Sequence, residues 1–375
     1  MKILNIIVGL NDGGAEGVLY RLCLYDKNYK HIVISLMDEG KYGPLLKEAG
    51  IEVHCLNMPA GRFTFTGLYK LFKLIRKSKP NIVQTWMYHA DLIGGVVARL
   101  AGVKNVFWNI RHTTLEPGKS KRSTIFIAKL CAMLSKRVPI GIVCCAEKAL
   151  EVHTSIGYDT SKMTVIANGY DPSILCAIPN SQAQLNKELG DVFPAIGMVA
   201  RFDPEKEHFD LLEAFLIVKK KGLPHKLVLV GYKINTSNIA LIEKIESLKL
   251  KNEVLLLDQR RDIPTIMSSL DLHVLSSSRE AFPNVLAEAM ACNTPCVTTD
   301  VGEAAHIVGD TGWVVKPKNP QALADAILIA LNELQSDPST WVNRKVACRK
   351  RIVNNFSIET MVGKYHQVWT NKQIY

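Results

Sequence analysis

Glu280 and Glu288 lie on either side of Pro283, in the segment 279–290, where the pattern predicts that a loop gives way to a helix. Proline is favoured at the first helical position because its missing N–H would have no partner there. The free N–H groups at a helix start bind phosphate. A glutamate at such a place accepts hydrogen bonds from hydroxyls, but it repels phosphate unless cations stand nearby. The segment therefore favours a ligand with both sugar hydroxyls and phosphates, such as a nucleotide sugar.

Cations that fit this requirement are Arg201 and Lys206, five positions apart just after a predicted strand. Arginine can bind phosphate through two parallel hydrogen bonds, and lysine acts as a point charge. Each residue alone would be an ordinary loop charge, but together with the glutamate segment they indicate a phosphate site. Arg260, just ahead of the predicted helix cap Asp262, is a further candidate for a contact to the base or ribose, with a solvated surface charge as the alternative.

A glycine turn follows the first predicted strand, where Gly13 and Gly14 precede a helix. Glycine lets a ligand approach the backbone N–H groups closely; the alternative is a tight turn with no ligand. The dinucleotide fingerprint G-x-G-x-x-G would need glycine at the position that Asp12 occupies. A nicotinamide-dependent dehydrogenase is therefore disfavoured.

Two histidines follow predicted strands of the first half, His89 and His112. The carboxyl edge of a parallel sheet is where α/β proteins build their sites. A lone histidine is more often structural, but two at successive strand ends make both candidates, and His112 is the stronger one.

The two glutamates do not fit the carboxylate pair of a glycoside hydrolase. Such a pair faces one bond from roughly 5–10 Å apart. Eight residues at about 1.5 Å each separate the backbone positions of Glu280 and Glu288 by up to ~12 Å, with a rotation of roughly 80°. The two carboxylates do not converge on one bond, so this class is excluded.

Length and composition indicate a two-domain protein, since the chain has 375 residues of which 47% are hydrophobic. It contains no apolar run of about 18 residues, so no spanning helix is expected. The nine cysteines include no C-x-x-C pair and are expected to be reduced thiols in a cytoplasmic protein. No metal site is expected.

The positive charge is concentrated in the first half of the chain. Residues 1–177 carry 23 Lys and Arg against 13 Asp and Glu, a net charge of +10, whereas residues 178–375 carry 23 against 22, or +1. A positively charged surface of this kind can bind an acidic membrane face or a nucleic acid. The alternative is a basic surface that is only solvated and binds no partner. No nucleic-acid module is present, and nucleic acid is not expected as a partner. The predicted helix 120–137 begins near Lys119, Lys121 and Arg122 and ends with Lys136 and Arg137.

Alternating strands and helices predict an α/β protein with two doubly wound, Rossmann-like domains. The predicted domains are residues 1–177 and 193–355, joined by a linker at 178–192 and followed by a C-terminal helix at 356–375. The predicted strands of the first domain are 2–9, 31–37, 52–56, 81–86, 104–110, 140–145 and 163–166. Those of the second are 193–200, 226–231, 253–257, 272–275, 295–298 and 312–315. The predicted helices of the first domain are 15–26, 66–78, 90–101, 120–137 and 146–155.

Taken together, the motifs resemble those of the retaining glycosyltransferases of family 4, which have the GT-B fold. The resemblance is carried by four segments that span nearly the whole chain: 13–16, 168–171, Arg201 with Lys206, and Glu280 with Glu288. Three positions depart from the family pattern: Ala281 and Asn293 stand where glycine is usual, and Gly17 where arginine is frequent. The fold that it implies has two domains that face each other across a cleft, with the C-terminal helix crossing back to the first domain. The resemblance also implies that residues 1–177 bind the acceptor and residues 193–355 bind the nucleotide sugar.

The resemblance also implies roles for the donor-binding residues. Arg201 and Lys206 would bind the diphosphate, Glu280 would hold hydroxyls of the transferred sugar, and Glu288 would hold the ribose hydroxyls. The predicted donor-binding residues are Gly14, Arg201, Lys206, Arg260, Glu280, Phe282, Asn284 and Glu288. Phe282 and Asn284 would act through backbone N–H groups.

The predicted catalytic residues are Arg201, Lys206, Glu280 and His112, with His112 facing the sugar or the acceptor. The acceptor hydroxyl would attack from the side of the leaving group, and the departing phosphate would take its proton, so no protein nucleophile and no metal are needed.

The sequence therefore predicts a retaining, metal-independent glycosyltransferase that uses a nucleoside diphosphate sugar, expected to be UDP-linked, and has no other cofactor. Its acceptor would be a saccharide, expected to be lipid-linked as in bacterial surface polysaccharide assembly. The protein would be cytoplasmic, with a peripheral contact of its basic first domain to the inner membrane face. The competing hypothesis is a non-catalytic protein of the same fold that binds a nucleotide sugar or nucleic acid.

Overall fold

Two parallel sheets are built from short runs of aliphatic and β-branched residues, as a computed structural model shows for residues 1–115, 120–189 and 193–371. The chain forms two compact units. Unit 1 contains residues up to Gly169 together with the C-terminal segment from Ile358, and unit 2 contains Tyr170–Ser357. This is the predicted pair of doubly wound Rossmann-like domains, with the last helix returned to the first.

Unit 1 has a seven-stranded sheet in the order β3-β2-β1-β4-β5-β6-β7. Its strands are β1 Lys2–Ile7, β2 Lys30–Ser35, β3 Glu52–Cys55, β4 Ile82–Trp86, β5 Val106–Ile110, β6 Gly141–Cys144 and β7 Met163–Val165. The register aligns Ile7 with Ser35 on one side and with Trp86 on the other. Because these strands end level, the loops that follow them emerge at one edge.

The helices of unit 1 are α1 Gly14–Tyr25, α2 Tyr42–Glu48, α3 Phe65–Ser78, α4 Tyr88–Leu100, α5 Arg122–Ser135, α6 Glu147–Ser155 and, at the end of the chain, α15 Ile358–Asn371. Helix α15 packs on α1 and buries one stripe in the core of unit 1, formed by Ile358, Met361, Tyr365, Val368 and Trp369. Their spacing of three and four residues is that of an amphipathic helix.

Unit 2 has a six-stranded sheet in the order β10-β9-β8-β11-β12-β13. Its strands are β8 Ala195–Val199, β9 Lys226–Val230, β10 Val254–Leu256, β11 Leu272–Leu275, β12 Cys296–Thr299 and β13 Trp313–Val315. Its helices are α7 Ser181–Leu189, α8 His208–Lys219, α9 Ile239–Ser247, α10 Ile263–Ser269, α11 Asn284–Ala291, α12 Ala304–Val308, α13 Pro320–Ser336 and α14 Pro338–Asn355.

The point where the chain passes from one unit to the other differs from the predicted boundary at residue 177. Residues 170–177 belong to unit 2 because their backbone is held there. Tyr170 donates its N–H to the carbonyl of Phe356, and the guanidinium of Arg349 donates to the carbonyls of Pro172 and Leu175. The segment predicted as a linker, 178–192, contains helix α7, which packs on α10.

All thirteen predicted strands are present, each within a few residues of its predicted bounds. Helix α2 was not predicted from the sequence. Among the residues that the structure describes, no helix combines the length and the apolar character needed to cross a bilayer.

Candidate functional site

An ion pair between Lys206 and Glu280 lies at the carboxyl edge of the unit 2 sheet. Lys206 follows β8 and Glu280 follows β11, and these two strands are neighbours in the sheet. The Nζ of Lys206 lies 2.5 Å from Oε1 of Glu280, and the side chains are only 18% and 14% exposed. Ser277 donates a hydrogen bond from its hydroxyl to the same oxygen, at 2.9 Å. The structure thus brings together the glutamate and one of the two cations that the sequence assigned to it.

The two loops that carry this pair are also joined through the backbone. The hydroxyl of Ser276 donates to the carbonyl of Lys206 at 2.9 Å, and the N–H of Ser278 donates to the carbonyl of Glu205 at 2.8 Å. Arg279 and Glu205 form a second ion pair between the same loops. These contacts fix Lys206 relative to Glu280, which is the preorganisation that charge stabilisation requires.

The second predicted cation, Arg201, is exposed. Its side chain is 63% accessible, and its Nε lies 3.2 Å from Oδ2 of Asp203. Asp203 also accepts from the N–H of Glu205, so it caps the 3₁₀ turn Pro204–Lys206. Burial alone would raise the pKa of Asp203, but these hydrogen bonds outweigh it and lower the pKa below its ordinary value. Arg201 is therefore an accessible positive group on the loop that ends at Lys206.

Helix α11 begins at Asn284, so Pro283 is the residue just before the helix and not its first residue. The ring of Phe282 is buried and packs edge-on against Phe356, which leaves its backbone as the part able to meet a ligand. The hydroxyl of Tyr170 donates to Oδ1 of Asn284 at 2.5 Å. Glu288 is half-buried one turn further along the helix. Glu280 therefore precedes the helix and Glu288 lies within it, as the sequence predicted, whereas the helix begins one residue later than predicted.

One departure from the family pattern has a local explanation, because Asn293 follows the end of α11 with a φ of 64°. Glycine is the usual residue in this left-handed conformation, and asparagine tolerates it better than other residues. The substitution is compatible with the same helix ending.

Two glycines that the sequence interpretation overlooked support the site loops. A Cβ on Gly231, whose φ is 150°, would lie 2.1 Å from the carbonyl oxygen of Ala200, next to Arg201. A Cβ on Gly302, whose φ is 53°, would lie 2.4 Å from the carbonyl oxygen of Ala281 and 2.5 Å from that of Glu280. The loop after β12 therefore packs directly on the backbone that carries Glu280.

We expect the substitution Gly302→Ala to lower kcat/KM by on the order of 10²-fold, because the new Cβ must displace the backbone of Glu280 and a misplacement of about 1 Å has this effect. Steady-state kinetics measure the loss. Gly222→Ala is the matched control, since Gly222 has a φ of 78° with no atom within 4 Å of its Cβ position. Equal activity of the two variants would contradict the role given to Gly302.

Arg260 is engaged by two carboxylates. Its guanidinium contacts Asp262 at 2.8 Å and Glu188 at 2.5 Å, and the hydrogen bonds that it donates to Asp262 and then to Glu188 raise its pKa above the ordinary value. A donor contact by Arg260 would have to replace one of these partners. The contact of Arg260 with the base or ribose remains a prediction, and it requires that Arg260 lose one of these two ion pairs.

In unit 1, Gly14 is the exposed first residue of α1, and Gly13 precedes it in an extended conformation. The loop after β1 contacts the loop after β2 at two places. Lys41 forms an ion pair with Asp12 at 2.8 Å. The backbone of Gly40 lies so close to Leu10 that a Cβ on Gly40 would be 2.5 Å from the carbonyl of Leu10. Gly14 thus lies at the start of a helix at the carboxyl edge of the sheet, as predicted.

His112 follows β5 at the same edge and stacks on Tyr88, with ring centroids 5.3 Å apart and an angle of 19° between the planes. Loss of hydration against the surrounding protein, and then repulsion from His89, lower the pKa of His112. The imidazole is therefore neutral at neutral pH and can both donate and accept a hydrogen bond.

A buried pair lies beneath His112. The hydroxyl of Tyr88 lies 2.6 Å from Nε2 of His153, whose Nδ1 lies 2.6 Å from the carbonyl of Ala149. The carbonyl can only accept, so Nδ1 carries the proton and Nε2 accepts from Tyr88. Burial lowers the pKa of His153 to about 4, so it is neutral and this tautomer is fixed. The pair holds the ring on which His112 stacks, and the sequence interpretation did not identify it.

Comparison with known proteins finds family models that match each half of the chain. The model of the family described as "Glycosyltransferase Family 4" matches residues 12–174, and that described as "Glycosyl transferases group 1" matches residues 180–343. The two models together match most of the chain, which therefore carries both domains of a glycosyltransferase of GT-B fold. It is 27% identical, over 80% of its length and 78% of the relative, to the UDP-Gal:alpha-D-GlcNAc-diphosphoundecaprenol alpha-1,3-galactosyltransferase of Escherichia coli.

Two further similarities cover most or all of this glycosyltransferase. The capsular polysaccharide biosynthesis glycosyltransferase CapM of Staphylococcus aureus is 28% identical over 84% of each chain. The crystal structure of Anabaena HepE in complex with UDP-glucose has a TM-score of 0.84 at 22% identity and covers 99% of this chain and 100% of its own. The predicted fold is confirmed, and so is the prediction that the chain is a glycosyltransferase.

Proposed function

We propose that this glycosyltransferase moves a sugar from a UDP-sugar to a hydroxyl of a lipid-linked saccharide, with retention of anomeric configuration and without a metal. The observation that carries the proposal is the largely buried pair of Lys206 and Glu280 beside the start of α11. It joins a cation and N–H groups for the diphosphate with a carboxylate for sugar hydroxyls. The choice of UDP is supported by the complex of HepE with UDP-glucose and by the UDP-Gal in the name of the Escherichia coli relative.

The lipid-linked acceptor is supported by two relatives whose names contain diphosphoundecaprenol or diphospho-undecaprenol. One is the Escherichia coli galactosyltransferase, and the other is an N-acetylgalactosaminyltransferase of Campylobacter jejuni that is 21% identical over 86% of this chain and 89% of its own. A saccharide on a lipid presents a hydroxyl in water while its anchor stays in the bilayer. The excess of positive charge in the first half of the chain suits binding to the anionic headgroups of such a bilayer.

In the proposed reaction, the bond between the anomeric carbon and the β-phosphate oxygen breaks as the acceptor oxygen bonds to the same face of that carbon. The acceptor proton passes to the departing phosphate. Lys206, Arg201 and the N–H groups at the start of α11 stabilise the charge that grows on the leaving diphosphate. Glu280 and Glu288 hold hydroxyls of the sugar and of the ribose. His112 faces the sugar or the acceptor, and Gly14 lets the first loop approach the donor.

A panel of UDP-, GDP-, ADP- and dTDP-sugars tests the donor and the site together. We expect hydrolysis of a UDP-sugar in the presence of EDTA, reduced by about 10²–10³-fold in Glu280→Ala because its loss removes a contact to the reacting sugar. Glu213→Ala is the matched control, since Glu213 pairs with Lys244 at the same 2.5 Å elsewhere in unit 2. Equal turnover by wild type and Glu280→Ala would refute the site assignment, and loss of activity with EDTA would refute metal independence. The coupling constant of the anomeric proton in the product, measured by NMR, distinguishes retention from inversion.

A further inference from the structure

The net positive charge of unit 1 arises from one stretch of the chain. Residues 53–146 contain fifteen Lys and Arg against two acidic residues, Asp91 and Glu116. Asp91 is fully buried, so it does not lie among the exposed cations at the surface. Glu116 lies outside the described residues. This stretch supplies α3, α4 and α5, and both α3 and α5 pack on α4.

Helix α3 has two distinct faces. Gly67, Leu71 and Ile75 recur every four residues and are buried. On the opposite side Phe65 is 92% exposed and Tyr69 is 59% exposed. Two aromatic side chains that are exposed to water at positions i and i+4 form an apolar stripe on the surface of the unit.

Cations continue the same stripe. The Nζ of Lys73 lies 4.5 Å from the centre of the Tyr69 ring, and Lys70, Arg76 and Lys77 are exposed on the following turns. No Asp or Glu occurs between Glu52 and Asp91 in the sequence. Aromatic residues at one end of a helix and cations along it are the composition of helices that lie in the interface of an anionic bilayer.

The aromatic end of α3 lies beside the candidate histidines. Phe63, in the loop just before the helix, contacts the ring of His89 with centroids 6.2 Å apart. His89 in turn lies close enough to His112 to lower the pKa of His112 by charge repulsion. The exposed aromatic cluster Phe63, Phe65 and Tyr69 therefore adjoins the edge of the sheet where the acceptor saccharide is proposed to bind.

We propose that the aromatic cluster inserts into the surface of an anionic lipid bilayer, with the cations of α3 and α5 against its headgroups. This orientation sets the edge that carries His89 and His112 next to the lipid surface, where the saccharide of a lipid-linked acceptor emerges. The inference deepens the proposed function and rests on it for the identity of the acceptor. The contact with the bilayer itself depends only on α3 and its neighbours.

Vesicle flotation tests the contact without any need for turnover. We expect the wild type to bind vesicles of phosphatidylcholine with about 30% phosphatidylglycerol at about 0.15 M salt, and not vesicles of phosphatidylcholine alone. The double variant Phe65→Ser/Tyr69→Ser should lower the partition coefficient by on the order of tenfold, since two apolar side chains no longer enter the bilayer. Ile329→Ser/Val342→Ser, at two exposed apolar positions of unit 2, should leave it unchanged.

A second pair of variants tests where insertion occurs. Phe126 and Met133 are exposed on α5, so Phe126→Ser/Met133→Ser should cause a smaller loss than the α3 variant. A larger loss from the α5 variant would overturn the assignment to α3. Equal vesicle binding by the wild type and the α3 variant would overturn the insertion. The insertion would also be overturned if the wild type does not bind vesicles but forms a dimer in light scattering, and the α3 variant does not form that dimer.

Enzymatic assays separate this inference from the proposed function. Hydrolysis of the UDP-sugar in solution should be equal in wild type and Phe65→Ser/Tyr69→Ser, whereas transfer to an acceptor embedded in the same vesicles should fall by on the order of tenfold with the partition coefficient. If no UDP-sugar is hydrolysed while vesicles are bound through α3, the proposed function fails and the membrane contact stands. If hydrolysis is normal but the α3 variant transfers to the embedded acceptor as well as the wild type does, the membrane contact fails and the enzymatic proposal stands.

Discussion

The substitution Lys206→Ala is expected to lower kcat by about 10²–10³-fold, the effect of removing one preorganised group that stabilises developing charge. In the free protein the ammonium of Lys206 neutralises Glu280 at 2.5 Å, and neither side chain is more than one-fifth exposed. Without Lys206 the carboxylate of Glu280 loses this counter-charge, and its repulsion of the diphosphate increases. The KM for the donor should therefore rise as well. Steady-state kinetics with the UDP-sugar measure both effects.

Two control variants separate this electrostatic role from a structural one. Lys244→Ala removes the cation of the similar pair with Glu213 and should leave kcat and KM within about twofold of wild type, as most surface pairs contribute little. Lys206→Arg keeps the charge but changes its position, so it should recover part of kcat. An activity of Lys206→Ala close to that of Lys244→Ala would refute the role of Lys206 in leaving-group stabilisation.

The strands were predictable because each is a short apolar run ended by turn residues, the signature of a sheet buried on both faces. Helix α2 was missed because its sequence begins Tyr-Gly-Pro, and Gly43 and Pro44 usually interrupt helices. Pro44 is tolerated because it lies in the first turn, where its N–H would have no partner. Helix α7 was interpreted as a linker because it offers little apolar periodicity and buries only Ser181 and Leu185.

In the site, the pairing of Glu280 with a cation followed from charge alone, since a glutamate at a phosphate-binding helix start needs a neighbour of opposite sign. The contacts that support this ion pair could not be predicted from the sequence. Ser277 and Gly302 act through tertiary packing between loops that are distant in sequence, and no local pattern marks them as partners of Glu280. The run of three serines after β11 was the one available signal, because hydroxyls at a strand end commonly contact ligands or loop backbones.

The substitution Trp369→Ala is expected to destabilise unit 1 by about 3–5 kcal/mol, the usual cost of truncating a buried tryptophan. Trp369 is fully buried in the core of unit 1, packs on Tyr365 with centroids 5.3 Å apart, and donates from Nε1 to Oε1 of Gln84 at 2.9 Å. The truncation leaves a cavity and removes the donor to a buried amide oxygen. Since Gln84 lies in the central strand β4, hydrogen exchange of β4 amides should accelerate by on the order of 10²-fold or more.

A chain of two units need not unfold in one step, so a single free energy of unfolding does not describe it. Hydrogen exchange suits this prediction because peptides from each unit report the stability of that unit separately. Gln367→Ala, at an exposed position of the same helix, should leave β4 exchange unchanged, since alanine favours the helix and no core contact is lost. The amides of β8 and β11 in unit 2 should keep their wild-type rates in both variants. A β4 exchange rate in Trp369→Ala equal to that in Gln367→Ala would show that α15 does not stabilise the sheet of unit 1. Faster exchange confined to unit 2 would contradict the assignment of α15 to unit 1.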